Sequence, residues 1–421
     1  MVKFMPKPEN DFCEFIELYY NECRKRFPKI EALTGKWRFE DLVPGLSDFD
    51  GRFICSNDMT DDDWCSMSFA IGKVHLELCR RYPKWHRILE HLPSIAVTWD
   101  EFADESLFLP EYLQWSFYHC SNDKEMEKAQ NVLKMHVWDY RDEYYHIKRF
   151  LNFYGLYIRD IDPAINLGPY EDKYFLHSRL MHYFTPPIQA AVSIILKDTI
   201  KGKKEALRLA SNIFSGVTMF GETLGIIDKH YEVPALYVNP GMSALEERLF
   251  NALCIVKSKM SESITLTFKN EGEDVLDWKH AIANYNMPVK FTIFDSMKFS
   301  RLNKGRLYFY VNTPDNFQNM WLIRNELKRM GIMYRIPYRV CLKLIKEEDV
   351  GNPDSFINEF VPHILTVKEA AATLEFSKLT TGTWRIGEEI DTLNKIIDVH
   401  DDFFKGLNKV IRAALTNTNQ G

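Results

Sequence analysis

Long apolar runs are missing from this sequence. No stretch approaches the roughly 20 residues that a membrane-spanning helix needs, and Met1 to Asn10 has no apolar segment of the secretory kind. A spanning helix and a leader are therefore not expected, and the reading is a cytoplasmic protein without a membrane partner. The eight cysteines (Cys13, Cys23, Cys55, Cys65, Cys79, Cys120, Cys254 and Cys341) contain no CxxC pair and no Cys/His metal spacing. That pattern suits reduced thiols better than a disulfide framework or a zinc site. An excess of positive charge is also absent: 53 basic residues face 59 acidic ones, for a net charge of −6. A general nucleic-acid coat protein is excluded on that balance. Internal repeats and low-complexity segments are likewise not seen.

What is present is core-forming material. With 421 residues, 46% hydrophobic and 14% aromatic, the chain exceeds the usual single core and is divided here into three regions. These are 1–120, 121–262 and 263–421. The most informative stretch is Leu42-Val43-Pro44-Gly45-Leu46-Ser47-Asp48-Phe49-Asp50-Gly51-Arg52-Phe53-Ile54. A turn feeds a short β-like run, and residues i and i+2 of a strand share a face. Asp48 and Asp50 would project together while Phe49 and Phe53 turn into a core. Two adjacent carboxylates repel unless a cation sits between them, and hard Mg²⁺ prefers oxygen ligands and phosphates. Two readings stand at this point: a metal-bound phosphoryl-transfer site, or a polar turn before an edge strand.

Along the chain, Asp11 to Ile30 carries a helical stripe (Phe12, Phe15, Ile16, Tyr19, Tyr20, Cys23) that ends in Arg24-Lys25-Arg26, as a helix C-terminus should. Thr34-Gly35-Lys36-Trp37 reads as a tight turn. Thr60 with Asp63 fits a capping box, so Asp61, Asp62 and Asp63 open a helix to about Tyr82 rather than ligate a metal. A short helix is expected over Trp85 to His91. Ser94 to Trp99 reads as a buried strand ending on Asp100-Glu101, where Asp100 is either a third metal ligand or part of a cap.

Gly35-Lys36, an eleven-residue spacer, Ser47-Asp48-Phe49-Asp50 and a later strand ending in Asp100 together resemble the nucleotidyltransferase superfamily typified by DNA polymerase β. The likeness covers about Glu14 to Glu101. It implies an N-terminal mixed sheet with flanking helices, two Mg²⁺ ions and an NTP donor. It further implies transfer of a nucleoside monophosphate with release of pyrophosphate. Asp48, Asp50 and Asp100 would be catalytic and metal-binding, and Gly35, Lys36 and Ser47 would lie near the phosphates. Lys36 stands where the family has Gly or Ser, Thr34 is not hydrophobic, and Gly51 replaces an apolar residue.

Downstream, Asn122 to Tyr154 reads as one long helix whose Arg141, His146, Lys148 and Arg149 either face a phosphate-filled cleft or are solvated. Tyr170 to Lys197 is a helix that Pro186-Pro187 must kink or split, followed by helices over Lys203–Phe214 and Ser243–Met260. The last third reads as mixed: strands at Ser263–Lys269, Val289–Phe294, Arg306–Asn312 and Tyr334–Cys341, a hairpin turn at Asn303-Lys304-Gly305, and helices over Pro314–Met330 and Trp384–Leu415.

The fold class expected is α+β: a nucleotidyltransferase-like sheet, a central helical bundle and a C-terminal α/β region. The function expected is a Mg²⁺-dependent enzyme binding a nucleotide such as ATP and modifying a small molecule or a protein side chain. The alternatives are a nucleotidyltransferase-like binding or scaffold protein without turnover, and a transferase directed at nucleic acid.

Overall fold

A computed structural model describes residues 9–36, 47, 49–85, 88–89, 92–158, 180–228, 242–266, 287–313, 363–381 and 387–418, with scattered positions between 327 and 345. Among the described residues the chain is α+β, mostly helical with one small mixed sheet. Helix α1 (Glu9–Arg26) buries the expected stripe and closes on its three basic residues. It leads into β1 (Ile30–Gly35), so Thr34 and Gly35 finish a strand rather than form a tight turn. Then come β2 (Gly51–Cys55), α2 (Asp61–Arg81), β3 (Ile95–Thr98), α3 (Trp99–Ala103) and β4 (Ser116–Cys120). The strands lie in the order β3-β2-β1-β4, with β1 antiparallel to both β2 and β4 and β2 parallel to β3.

Each strand face feeds a different core, as the two-residue period of a strand requires. Leu33, Phe53, Cys55 and Ala96 pack with α1, α2 and the C-terminal helices. Ala32, Ile54, Ile95 and Val97 pack with the central helices. Helix α2 starts as expected: Thr60 Oγ1 accepts from the Asp63 amide at 3.1 Å, and Asp63 Oδ2 accepts from the Thr60 amide at 2.9 Å. After Pro83 there is a single 3-10 turn (Pro83–Trp85), and much of the helix expected over Trp85 to His91 lies outside the described residues.

The long helix expected over Asn122 to Tyr154 is two helices, α4 (Asp123–Met135) and α5 (Tyr140–Ile158). Asp139 supplies the break. Its side chain accepts from the Arg141 amide at 2.7 Å while its own amide donates to Asp142 Oδ2 at 2.9 Å, a local pairing that starts a new helix. Where Pro186-Pro187 were expected to kink or split a helix, the described backbone is continuous and changes from π to α just before them. They open α6 (Thr185–Leu196), and a π-helical turn, Leu180–Phe184, precedes it. Residues 170–179 lie outside the described residues. Helices α7 (Lys203–Ile213), α8 (Met219–Asp228) and α9 (Met242–Ser263) follow, and α8 was not anticipated.

The C-terminal third corrects the sequence reading most. Val289–Phe294 lies in α10 (Val289–Met297), and Arg306–Asn312 and the supposed hairpin turn lie on α11 (Asn303–Val311). Residues 334–341 are helical as well. All three stretches are rich in aromatic and β-branched residues, but burial on several sides at once suits a short core helix equally well. Helices α12 (Val367–Thr381) and α13 (Glu389–Thr418) complete the region, which holds helices and no strand among its described residues. Residues 264–266 are not strand, and 267–269 and most of the helix expected over Pro314 to Met330 lie outside those residues.

Gly305 is needed for helix contact, not for a turn. A Cβ there would come 2.1 Å from the Ser68 carbonyl oxygen on α2, and one on Gly72 would come 2.7 Å from the Gly305 oxygen. Gly305→Ala is expected to destabilise the fold by about 2 kcal/mol, since α2 and α11 must move apart. Gly216→Ala, with open space around it, is expected to stay within about 0.5 kcal/mol. Urea unfolding of both variants reads the difference.

Candidate functional site

The Asp-x-Asp turn meets the end of β1. Gly35 pairs with Gly51, and a Cβ on Gly35 would sit 2.6 Å from the Asp50 carbonyl oxygen. Only a residue without a side chain allows that approach. Phe49 is fully buried, with its ring edge-on to Phe15 and Tyr19 at 5.0 and 5.2 Å, and Phe53 is buried too. For the described residues of this stretch the aromatics turn inward and Asp50 is half-exposed on the other side. Asp48 lies outside the described residues, and Ser47 is partly buried beside it in the chain.

Asp50, Arg52 and Ile54 share the face that looks toward α5. There a buried charge cluster is assembled. Glu111 Oε1 accepts from Arg52 Nε at 3.0 Å and Nη2 at 2.9 Å, with Lys36 Nζ 3.3 Å away. Arg52 Nη1 donates to the Gly51 carbonyl at 2.8 Å and lies 3.6 Å from Asp50 Oδ1. Lys36 also reaches Tyr145 Oη at 3.4 Å, and Tyr145 donates to Gln114 Oε1 at 3.2 Å. Arg149 donates to Gln114 Oε1 at 2.8 Å and to Gln189 Oε1 at 2.9 Å. Just beyond, Asp295 pairs with Lys148 and with Lys298. Cations thus outnumber carboxylates around the end of β1, a balance suited to a bound anion.

Burial shapes the ionisation of this cluster. It lowers Lys36 from its usual 10.5 to about 8, despite the opposing pull of Glu111. Burial would raise Glu111, but Lys36 and Arg52 overcome it and hold the carboxyl well below the usual range. His146, buried among cations, is pushed well below its usual range by burial first and Arg149 next, so it stands neutral. Thr34 Oγ1 is buried without a hydrogen-bond partner next to this end of the sheet.

Asp100 does not join Asp50. In the parallel β2–β3 pair Arg52 stands opposite Ile95 and Cys55 opposite Thr98. Asp50 precedes one end of that pair and Asp100 follows the other, and the strand between them alone spans about 10 Å. The Asp100 amide donates to Asn57 Oδ1 at 2.8 Å, at the far end of β2. The cap reading is the one that holds for this corner. Thr98 and Glu101 form a capping box, and Arg301 holds Glu101 with two contacts of 2.6 Å. A three-carboxylate site of Asp48, Asp50 and Asp100 is therefore corrected.

Asp61 and Asp62 begin α2, where they pair with Arg412 and Lys405 of α13. As oxygen donors, the half-exposed Asp50 carboxylate and the Ser47 hydroxyl are of the hard type that suits Mg²⁺. Sequence reasoning missed Arg52 and Glu111. The available signal was a lone carboxylate inside the apolar run Phe108-Leu109-Pro110-Glu111-Tyr112-Leu113. Of the four polar residues noted on the long helix, Arg149 and Lys148 reach the cluster, whereas Arg141 pairs with Asp139.

No protein-family model, curated protein or solved structure matches this chain.

Glu111→Gln is expected to cost about 3 kcal/mol in urea unfolding, because Arg52 and Lys36 would stay buried without their counter-charge. Removing the half-exposed Arg26–Glu77 pair should cost less than about 1 kcal/mol. Between pH 8 and 10.5 the unfolded chain keeps a proton that folded Lys36 has released. Stability from this group therefore rises with pH across that window. Lys36→Met is expected to flatten the rise, read as unfolding free energy against pH.

Proposed function

We propose that this chain is a Mg²⁺-dependent nucleotidyltransferase that passes a nucleoside monophosphate from an NTP to a small molecule or a protein side chain and releases pyrophosphate. The observation that carries the reading is the β1–β2 junction. There the Gly35 backbone packs against the Asp50 carbonyl in front of the cations Lys36, Arg52 and Arg149. The sheet order, with α1 before β1 and the Asp-x-Asp turn before β2, also supports it.

In this reading Gly35 lets the end of β1 close on the start of β2, and Lys36 and Ser47 donate to the oxygens of the triphosphate. Asp48 and Asp50 would hold the magnesium, which when bound supplies charge neutralisation of the attacking and leaving oxygens. The acceptor attacks the α-phosphorus, the bond to the β-phosphate oxygen breaks, and pyrophosphate leaves. With Asp100 at the other end of β3, the acceptor proton passes to water and not to that carboxylate. Positioning and charge account for the rate.

The same separation of Asp100 favours a second reading, a protein that binds the nucleotide without turning it over. Lys36 in the place of a small residue and Gly51 after Asp50 point the same way.

Pyrophosphate release, with each of the four NTPs and Mg²⁺ and with calorimetry alongside, separates the two. The transferase gives metal-dependent release that Asp48→Ala/Asp50→Ala abolishes and Asp100→Ala leaves intact. Binding lost in the double variant, with no release in wild type, selects the second reading. Neither release nor binding with any NTP sinks both. Lys36→Met should weaken nucleotide binding about tenfold, the loss expected for one charged hydrogen bond. At pH 8.5 the wild type should take up a proton on binding, because a phosphate raises the pKa of Lys36.

A further inference from the structure

Helix α2 and helix α13 meet at a point that belongs to neither the charge cluster nor the Asp-x-Asp turn. Cys65 on α2 and His400 and Asp401 on α13 bring one sulfur, one ring nitrogen and one carboxylate oxygen within 4.8 Å of one another. We propose that these three side chains bind a single borderline divalent metal ion, Zn²⁺ above all, which fastens the C-terminal helix to α2.

Three observations carry this. First, His400 Nδ1 and Asp401 Oδ1 are both buried and without a hydrogen-bond partner, and His400 is only 2% exposed. Buried polar atoms of this kind call for a partner. Second, the two atoms are 3.6 Å apart. That is too long for a hydrogen bond, but two ligands around one tetrahedral zinc stand about 3.3–3.6 Å apart given the usual bond lengths. Third, the other carboxylate oxygen is already oriented. Lys304 Nζ holds Asp401 Oδ2 at 2.6 Å and so leaves Oδ1 turned toward His400, the outer support that ligating carboxylates commonly receive.

The donor set selects the ion. A thiolate and an imidazole exclude Mg²⁺ and Ca²⁺, and a mixed S, N, O set suits zinc. His400 is buried and its Nδ1 faces the Asp401 carboxylate, the side on which the ion would sit. As the zinc–sulfur bond forms, the Cys65 thiol gives its proton to solvent. The thiolate and the carboxylate then balance the two charges of the ion, and water takes the fourth position. His400 is also fixed against α13's own Phe404, the rings stacked 6.0 Å apart at 10°.

The test uses full-length protein stripped with a chelator and titrated with Zn²⁺ by calorimetry and with Co²⁺ by absorption. The expected result is one ion per chain, with a thiolate-to-cobalt charge-transfer band in the near ultraviolet and d–d bands of tetrahedral strength. Cys65→Ser should abolish the charge-transfer band, and His400→Gln should weaken affinity at least about tenfold. Cys341→Ser, a buried thiol elsewhere, should change neither. Absence of stoichiometric binding, or a charge-transfer band that survives in Cys65→Ser, overturns the proposal. X-ray absorption of the zinc-loaded wild type decides the case without any variant. A shell with one sulfur and the rest nitrogen and oxygen supports the site, whereas several sulfurs overturn it.

Discussion

Glu111 is the carboxylate on which the working end of the sheet depends. Arg52 follows the Asp-x-Asp turn directly and its strand is buried on both faces, so its charge has no route to water. Lys36, leaving β1, turns into the same space. Without one central carboxylate, two cations beside each other in a dry setting would force the strands apart or lose a proton. Lys36 goes part of the way toward losing its proton even with Glu111 present. In the proposed function this incomplete compensation is what an arriving phosphate would complete.

The two faces of the sheet divide the labour. The face carrying Asp50 and Arg52 looks toward α5, whose Tyr145, Lys148 and Arg149 line the polar space. The opposite face is sealed by α1, α2 and helices from the last third of the chain, with Phe49 and Phe53 as its contribution from the β1–β2 region. Asp50 is thus anchored from behind by the packing of Phe49 and Phe53 while its own carboxylate stays half-exposed. The Gly35 contact with the Asp50 carbonyl locks the two strand ends together from the side.

Local chemistry was readable where it stays local. The Thr60–Asp63 capping box and the stripe of α1 depend on neighbours a few residues away, and they hold. Features set by distant partners were not readable. Val289–Phe294 and Leu307–Val311 carry strong strand propensity, but each is enclosed by other helices, and tertiary burial overrides propensity there. Asp100 could have been ligand or cap, and only the parallel register of β2 with β3 decides it. Arg52 with Glu111, and Cys65 with His400, are pairs that no spacing rule connects. The fold class was therefore legible in its α+β outline. Of the site, the Gly35 and Asp50 ends were legible, and their charge compensation was not.

The last helix of the chain completes the core that the first helix begins. Ile396, Phe403, Leu407, Val410 and Ile411 of α13 are buried with Phe12, Phe15 and Tyr19 of α1. During synthesis from the N-terminus, the side of α2 that α13 packs against consequently stays open until α13 has emerged and docked. Closure then requires contacts 351 residues apart, as between Asp61 and Arg412, the kind that form slowly and invite association with other nascent chains. The aspartates at the start of α2, paired with Lys405 and Arg412, give the late-arriving helix a charged seat that fixes its register as it docks.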